Sequence, residues 1–252
     1  IKYASFSPDG KRVAVGSRHG TAQVWDVETA RELLVVQGHE DKLDRIAFSP
    51  DGRLIVTASW DGRVRVWDAV TGAPIKTLGD LEQWILALVI SRDGDDVVAG
   101  DVAGNLIVWN LRTGDVVARP EPHAGAIHDL EISPDGDLMA SGSSDGTIRI
   151  WDTRSWRVVR RLESSTSGGL MVAFSPDGRL LGDVGAGVFV ELWSLETYET
   201  VGSFRGHRAN ISSISFSPDG RFVLTGSGDW TAKIWDVVNT ADAVHELAAH
   251  GG

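Results

Sequence analysis

A tryptophan recurs every 42 residues along this chain, and that period constrains the fold more than any other feature. The series runs without exception through six positions, which are Trp25, Trp67, Trp109, Trp151, Trp193 and Trp235. A second series keeps the same step and places Asp-Gly at 9–10, 51–52, 93–94, 135–136, 177–178 and 219–220. Two independent series in register indicate six internal repeats that together account for all 252 residues.

Within one repeat, residues 43–79 have the pattern of four short strands. Apolar segments lie at 43–48, 54–58, 64–67 and 75–78, and turn signals separate them at 49–52, 61–62 and 71–72. Strands at this spacing, with Ser-Pro-Asp-Gly and Asp-Gly or Thr-Gly between them, predict a small antiparallel sheet.

Such a sheet has two apolar faces and is not stable alone. Radial stacking against neighbouring sheets buries both faces, which is the arrangement of a β-propeller. We therefore predict an all-β fold: a single propeller domain over 1–252 with six blades, each a four-stranded antiparallel sheet. The chain begins at Ile1 within a strand pattern, so we expect it to be part of a longer protein.

Further motifs fall at fixed offsets in these repeats. Gly38-His39 and Gly206-His207 precede two inner strands, and third strands end in pairs such as Trp67-Asp68 and Trp151-Asp152. With these motifs the chain resembles the WD-repeat (WD40) family over its whole length. Family propellers usually have seven blades, so the resemblance leaves two closures open: six blades, or a seventh from the parent protein.

The resemblance also implies a buried hydrogen-bond network of His, Ser or Thr, Asp and Trp within a blade. Carried over position by position, its members are His39, Ser59, Asp61 and Trp67 in the second blade, His123, Ser143, Asp145 and Trp151 in the fourth, and His207, Ser227, Asp229 and Trp235 in the sixth. A Ser-His-Asp set also suggests a catalytic triad. Three copies at one period favour a structural role, since an active site needs only one, and we expect no catalytic residues.

The other three blades depart from this network. The first has His19 at the Asp position, the third has Leu81 and Ala103 at the His and Asp positions, and the fifth has Ser165 and Gly187 there. Complete and degenerate networks are therefore expected to alternate along the chain.

The family's usual partner surface carries the loop before the inner strand and the loop between the second and third strands. Trp60 and Trp84 break the repeat pattern in these loops on neighbouring blades, and Trp is a frequent interface anchor. We predict a partner site around this pair, with a polar surround and a third indole; these further residues are Lys42, Asp44, His128, Asn210 and Trp230. The alternative interpretation is that the indoles cover a neighbouring blade.

A basic cluster follows the third strand of the fourth blade. It contains Arg154, Trp156, Arg157, Arg160 and Arg161 and contrasts with a net charge of −11 for the whole chain. It suits either an acidic partner or a solvated edge strand protected by charge.

Composition excludes several classes of function. The net charge of −11 argues against nucleic-acid binding, which needs clustered basic residues. The chain has no cysteine, and histidines such as His19, His128, His245 and His250 are scattered, so we expect no metal and no cofactor. No apolar run approaches a membrane span, and a chain without cysteine suits the cytoplasm.

The sequence therefore favours a non-catalytic scaffold that binds a protein or peptide through the face bearing Trp60 and Trp84. A sensor or regulatory domain of a larger signalling protein, fused to a kinase or an NTPase, is the alternative that the resemblance implies. An enzyme would require a convergent set of catalytic groups, and the sequence contains none that we recognise.

Overall fold

The fold is all-β, as the repeat pattern predicted. The computed structural model describes residues 3–79, 81–166, 168–238 and 243–248, and within these ranges every regular element is a strand. The 24 strands form six four-stranded antiparallel sheets, and consecutive strands are neighbours in every sheet. Each sheet corresponds to one 42-residue repeat and is a blade of the predicted type.

The chain divides into two compact units, Ile1–Ala126 and Ile127–Gly252, with three blades in each. The first blade contains β1 (Ala4–Phe6), β2 (Arg12–Gly16), β3 (Thr21–Asp26) and β4 (Glu32–Gln37). The second contains β5 (Leu43–Phe48), β6 (Leu54–Ser59), β7 (Val64–Asp68) and β8 (Pro74–Leu78). The third contains β9 (Ile85–Ile90), β10 (Asp96–Asp101), β11 (Leu106–Asn110) and β12 (Val116–Ala118).

The second unit repeats this plan. Its fourth blade contains β13 (Ile127–Ile132), β14 (Leu138–Ser143), β15 (Thr147–Asp152) and β16 (Arg157–Glu163). The fifth contains β17 (Met171–Phe174), β18 (Leu180–Val184), β19 (Phe189–Ser194) and β20 (Thr200–Arg205). The sixth contains β21 (Ile211–Phe216), β22 (Phe222–Ser227), β23 (Thr231–Asp236) and β24 (Ala243–Ala248).

The Ser-Pro-Asp-Gly turn joins the first and second strands by hydrogen bonds among its own groups. In the second blade the Ser49 hydroxyl donates to Asp51 Oδ1 at 2.6 Å and accepts from the Leu54 N–H at 2.9 Å. Gly52 closes the turn at φ 70°, a left-handed value that favours glycine. The Ser49 hydroxyl and the Arg53 N–H lower the pKa of Asp51, because both donate to its charged form.

Apolar contacts between adjacent blades form the core of each unit. In the first unit, Val24 of the first blade packs in one cluster with Trp67 of the second, and Val66 packs in another with Trp109 of the third. The second unit has equivalent clusters around Trp193 and Trp235. These four tryptophans therefore fill the spaces between sheets within each unit, which removes the apolar faces from water.

A chain of hydrogen bonds in the second blade runs from a carboxylate to this core tryptophan. His39 Nδ1 lies 2.9 Å from Asp61 Oδ2, and its Nε2 lies 2.8 Å from Thr57 Oγ1. The Trp67 indole N–H donates to the same Thr57 oxygen at 2.9 Å. If Nδ1–H donates to Asp61, Nε2 accepts from the Thr57 hydroxyl, and both ring nitrogens of His39 then have a partner.

The hydroxyl between His39 and Trp67 belongs to Thr57, and the sequence prediction of Ser59 at this place was wrong. Ser59 lies at the end of β6, where its hydroxyl donates to the Asp41 carbonyl and accepts from the Asp61 N–H. Ser59 therefore holds the loops together, and Thr57, two residues earlier, contacts the histidine and the indole.

The sixth blade has the same chain of contacts. His207 lies 2.9 Å from Asp229 and 2.8 Å from Thr225, and Trp235 donates to Thr225 at 2.9 Å. Ser227, the predicted hydroxyl, instead donates to the Ala209 carbonyl. The prediction of serine was therefore also wrong here, for the same reason.

Of the four residues predicted for the network of the fourth blade, His123 lies in the first unit and Ser143, Asp145 and Trp151 lie in the second. In the second unit the Trp151 indole donates to Ser141 at 2.8 Å, so the prediction of Ser143 as the hydroxyl beside this indole was wrong as well. Ser143 accepts from the Asp145 backbone N–H, and the Thr147 hydroxyl donates to Asp145. In the first unit His123 is buried and its backbone N–H donates to Gly104.

Replacement of Thr57 tests this network. We expect Thr57→Ala to lower the free energy of unfolding by about 2 kcal/mol, because buried His39 and Trp67 nitrogens each lose a hydrogen-bond partner. Thr57→Ser keeps the hydroxyl and should retain most of the stability. Urea unfolding measures both; equal stability losses in the two variants would contradict the network.

Candidate functional site

Two stacked indoles connect the loops of the second and third blades. Trp60 lies in the turn between β6 and β7, and Trp84 immediately precedes β9. Their ring centroids are 4.3 Å apart and the rings are 13° from parallel. The backbone N–H of Trp60 donates to the Lys42 carbonyl, and the backbone N–H of Val102 donates to the Trp84 carbonyl. Backbone hydrogen bonds therefore hold both loops. We call Lys42, Trp60 and Trp84 the indole surface.

Asp44 and Lys42 fix the orientation of Trp60. The indole N–H donates to Asp44 Oδ1 at 3.0 Å, and Lys42 Nζ lies 4.1 Å from the ring centroid. The sequence predicted Asp44 in an exposed polar surround, but the structure leaves only 2% of it exposed. Asp44 therefore supports Trp60 from below the surface.

The support continues inward through two residues that the sequence reasoning missed. Arg45 Nη1 lies 3.3 Å from Asp44 Oδ2, and the Arg45 guanidinium lies 3.7 Å from the Tyr3 ring centroid. Arg45 and Asp44 are both buried. Two adjacent residues of opposite charge in the inner strand β5, Asp44 and Arg45, were the available signal, since a buried charge needs a partner.

The exposed end of the indole surface is Trp84. It is 47% exposed, whereas Trp60 is only partly exposed because it lies against both Trp84 and Lys42. Glu82 and Gln83 precede Trp84 and are exposed as well. A rigid aromatic side chain held at the surface by its neighbours offers contact area at low entropic cost.

A groove of about 560 Å³ begins beside the same loop. Residues that line it include Leu81, Glu82, Ala103, Asn105, Arg119 and Pro120. β12 has only three residues, and Pro120 and Pro122 follow it without backbone N–H groups to extend the sheet. The groove therefore lies in the third blade, whose outer strand is the shortest of the described outer strands and which has Leu81 in place of the network histidine.

Three residues predicted for the partner surface lie in the second unit. Trp230 is 76% exposed, and the exposed Asn210 uses its carbonyl to accept from the Gly228 N–H. His128 is half-buried, with its ring so close to Gly169 that an added Cβ there would lie 2.8 Å away. Trp230 is thus the most accessible of the three.

Trp230 has an unfavourable backbone conformation. Its φ is 67°, and glycine holds the equivalent turn position in four other repeats, at Gly20, Gly62, Gly104 and Gly146. A left-handed conformation costs a residue other than glycine about 1 kcal/mol. An exposed indole kept at such a position is a candidate for function.

The blade-four arginines mostly have partners within their own unit. Arg154 forms an ion pair with Asp137 at 2.8 Å, Arg161 pairs with Glu163, and Arg160 lies over the Tyr198 ring. Trp156 of this cluster is only 6% exposed. These contacts favour the interpretation of a solvated edge strand.

The fifth blade replaces the histidine network with a buried carboxylate. Asp183 Oδ1 accepts from the Trp193 indole at 2.6 Å, and Oδ2 accepts from the hydroxyls of Ser164 and Thr166 at 2.6 and 2.8 Å. Burial raises the pKa of Asp183 to about 6, against the opposite effect of these hydrogen bonds. Glu191 lies nearby and also raises this pKa.

A second pair of carboxylates lies on β13. Asp129 Oδ2 accepts from the Val172 N–H at 3.1 Å and Glu131 Oε2 from the Phe174 N–H at 2.7 Å, so both groups bind the edge of β17. Burial raises the pKa of Glu131 to about 8, and Asp129 adds to that shift. Alternate residues of β13 accept from alternate residues of β17, which indicates a structural contact.

Within the described ranges, no group of three or more His, Cys, Asp or Glu side chains is arranged to hold a metal ion. His250 lies outside the described residues. In the same part of the chain, no helix has the length and apolar character of a transmembrane span.

Comparison with known proteins identifies the repeats. A family model described as WD domain, G-beta repeat, matches residues 1–26, 30–68, 114–152 and 198–236, which is more than half of the chain. Each match ends at the Trp-Asp pair of the first, second, fourth or sixth blade.

One relative is the general transcriptional corepressor TUP1 of Saccharomyces cerevisiae, which is 37% identical over 43 residues. This match covers 17% of the chain and 6% of the corepressor, so the chain spans a small part of the length of that relative.

The raised pKa of Asp183 predicts how stability changes with pH. Between pH 3.8 and about 6 the folded protein retains a proton that the unfolded chain releases, so this group makes stability fall as pH rises. Asp183→Asn keeps an acceptor for Trp193 and should flatten the fall in that window. Glu131→Gln is the control, because it should reduce the loss of stability with rising pH over a different window, from pH 4.5 to about 8. Urea unfolding across this range measures the slopes, and unchanged slopes in both variants would contradict the assignment.

Proposed function

Because the chain belongs to the WD domain, G-beta repeat family, we propose that it is a non-catalytic scaffold that binds another protein through the indole surface. The observation that carries this proposal is the stacked pair at 4.3 Å, with Trp84 47% exposed beside buried Asp44 and Arg45. Trp side chains are enriched among the residues that dominate binding energy at protein interfaces.

The support beneath the indole surface also favours binding. Trp60 is restrained by a hydrogen bond to Asp44, by the Lys42 ammonium and by the second indole. When a partner contacts Trp84, the indole surface would therefore lose little side-chain freedom, which leaves more of the contact energy for affinity. Trp230, with Asn210 and His128 in the same unit, is a second contact region of the proposed scaffold.

The buried carboxylates support a non-catalytic role. The Asp183 and Glu131 oxygens accept hydrogen bonds from indole, hydroxyl or backbone donors of the blades. Groups used in this way hold strands together, and a general acid or base needs access to a substrate.

A regulatory or sensor domain within a larger signalling protein is the second candidate. The observation behind this candidate is the likeness of 43 residues of the chain to a segment of a longer corepressor. In that case the indole surface would bind another segment of the parent protein. The absence of cysteine suits the reducing cytoplasm, where we place either form.

Trp84→Ala provides the test of the scaffold function. Proteins captured by the wild-type chain from lysate of the source organism, and quantified by mass spectrometry, should fall at least about tenfold with Trp84→Ala, as expected for an interface anchor. Val70→Ala is the matched control, because Val70 is 76% exposed in the turn between β7 and β8, away from both indole loops.

Circular dichroism and urea unfolding establish that both variants remain folded. Equal capture by the wild type, Trp84→Ala and Val70→Ala would reject the indole surface as the partner site. Loss of capture with both variants would also reject it, because the effect would not depend on the indole.

A further inference from the structure

The indole stack is already in contact with a cation at its inner member. Lys42 Nζ lies 4.1 Å from the centroid of the Trp60 ring, and Trp84 lies 4.3 Å from it. The Lys42 ammonium and the Trp84 indole are both so close to the Trp60 ring centroid that they cannot share one face of the ring. The Trp60 ring therefore lies between them. Attraction of a cation to the electron-rich ring face stabilises this contact.

The outer member has no equivalent contact. One face of Trp84 is covered by Trp60, yet the residue is 47% exposed, so its accessible area belongs to the opposite face and the ring edge. Within the described ranges no cation lies over the Trp84 ring, and its only ring contact is with Trp60. The outer face is therefore available to a group from outside the chain.

A carboxylate in the same loop and the negative net charge of the chain favour a cation at this face, although Arg119 lines the adjacent groove with Glu82. Glu82 lies two residues before Trp84 in the same loop, is exposed, and has no ion pair within the described ranges. The chain as a whole carries a net charge of −11, which attracts basic partners and repels acidic ones. Arg45, the nearest buried cation of the support, is already paired with Asp44.

We propose that the outer face of Trp84 binds a basic side chain of the partner, with Glu82 as its counter-charge. This inference rests on the proposed scaffold function and specifies the chemistry of the protein that binds. Arginine fits best, because a planar guanidinium stacks on an indole and at the same time donates to a carboxylate. The partner segment therefore presents an arginine to the loop of residues 81–84.

A pair of peptides that differ only in charge tests the proposal. Acetyl-Gly-Gly-Arg-Gly-Gly-amide and its citrulline counterpart are titrated into the 252-residue chain at 150 mM salt, and the Trp84 indole N–H signal is followed by NMR. Citrulline keeps the shape and most donors of arginine without the charge. We expect the arginine peptide to bind at least about threefold more tightly, the ratio expected for an exposed cation–π contact.

The variant Trp84→Leu separates this site from general attraction to an acidic protein. It keeps apolar bulk and removes the aromatic face, and binding is then followed at the Trp60 indole signal. The preference for arginine should disappear in Trp84→Leu and should decrease in Glu82→Gln, but it should persist in Val70→Ala. Equal binding of the two peptides to the wild type, or a preference that survives in Trp84→Leu, would overturn the proposal.

The two proposals fail in different ways. If Trp84→Ala abolishes capture of the partner but arginine and citrulline peptides bind equally, the scaffold function stands and the basic-side-chain inference is rejected. If capture does not change in Trp84→Ala, the scaffold proposal itself fails, and the inference that rests on it fails as well.

Discussion

Burial of repeat tryptophans such as Trp67 and Trp193 between adjacent sheets of one unit is the interaction on which the rest of the structure depends. A four-stranded sheet with two apolar faces is unstable alone, and its third-strand tryptophan gains most when a neighbouring sheet covers it. From Trp67 to Trp235 the repeat tryptophans are at most 8% exposed. A buried indole N–H needs an acceptor inside the protein, which explains why Thr57, Ser141, Asp183 and Thr225 stand beside four of these indoles; these four are Trp67, Trp151, Trp193 and Trp235.

The acceptor can vary as long as the indole is satisfied. The second and sixth blades use threonine and connect it to a histidine and an aspartate, whereas the fifth uses Asp183 and surrounds it with hydroxyls. The carboxylate solution has a cost, because burial disfavours its charged form and raises its pKa to about 6. A blade that lacks the histidine motif can still have a buried hydrogen-bond network. The fifth blade has one around Asp183, and the raised pKa of this residue makes its contribution to stability depend on pH.

Functional candidates lie where residues depart from the repeat. Tryptophan is absent from the positions equivalent to Trp60 and Trp84 in the other repeats, and buried Asp44 and Arg45, with Tyr3 against Arg45, form a support beneath Trp60. Trp230 occupies a left-handed position that glycine takes elsewhere. Residues shared by all repeats satisfy the demands of the fold, so the residues that differ are the ones that distinguish this scaffold from others with the same architecture.

The sequence by itself determined that the chain is all-β, that it has six four-stranded antiparallel sheets, and where each turn falls. The 42-residue period set the number of sheets, and the apolar segments and turn motifs within each repeat set the strands, because strand alternation and turn chemistry are local properties. The proximity of Trp60 and Trp84 was also predictable, since both lie in loops on the same face of neighbouring blades. Tertiary structure alone decided that Thr57 and not Ser59 reaches His39, and that Asp44 is buried beneath Trp60 and not exposed beside it. These outcomes depend on side-chain directions and on distances between strands remote in sequence, and no spacing along the chain encodes those distances.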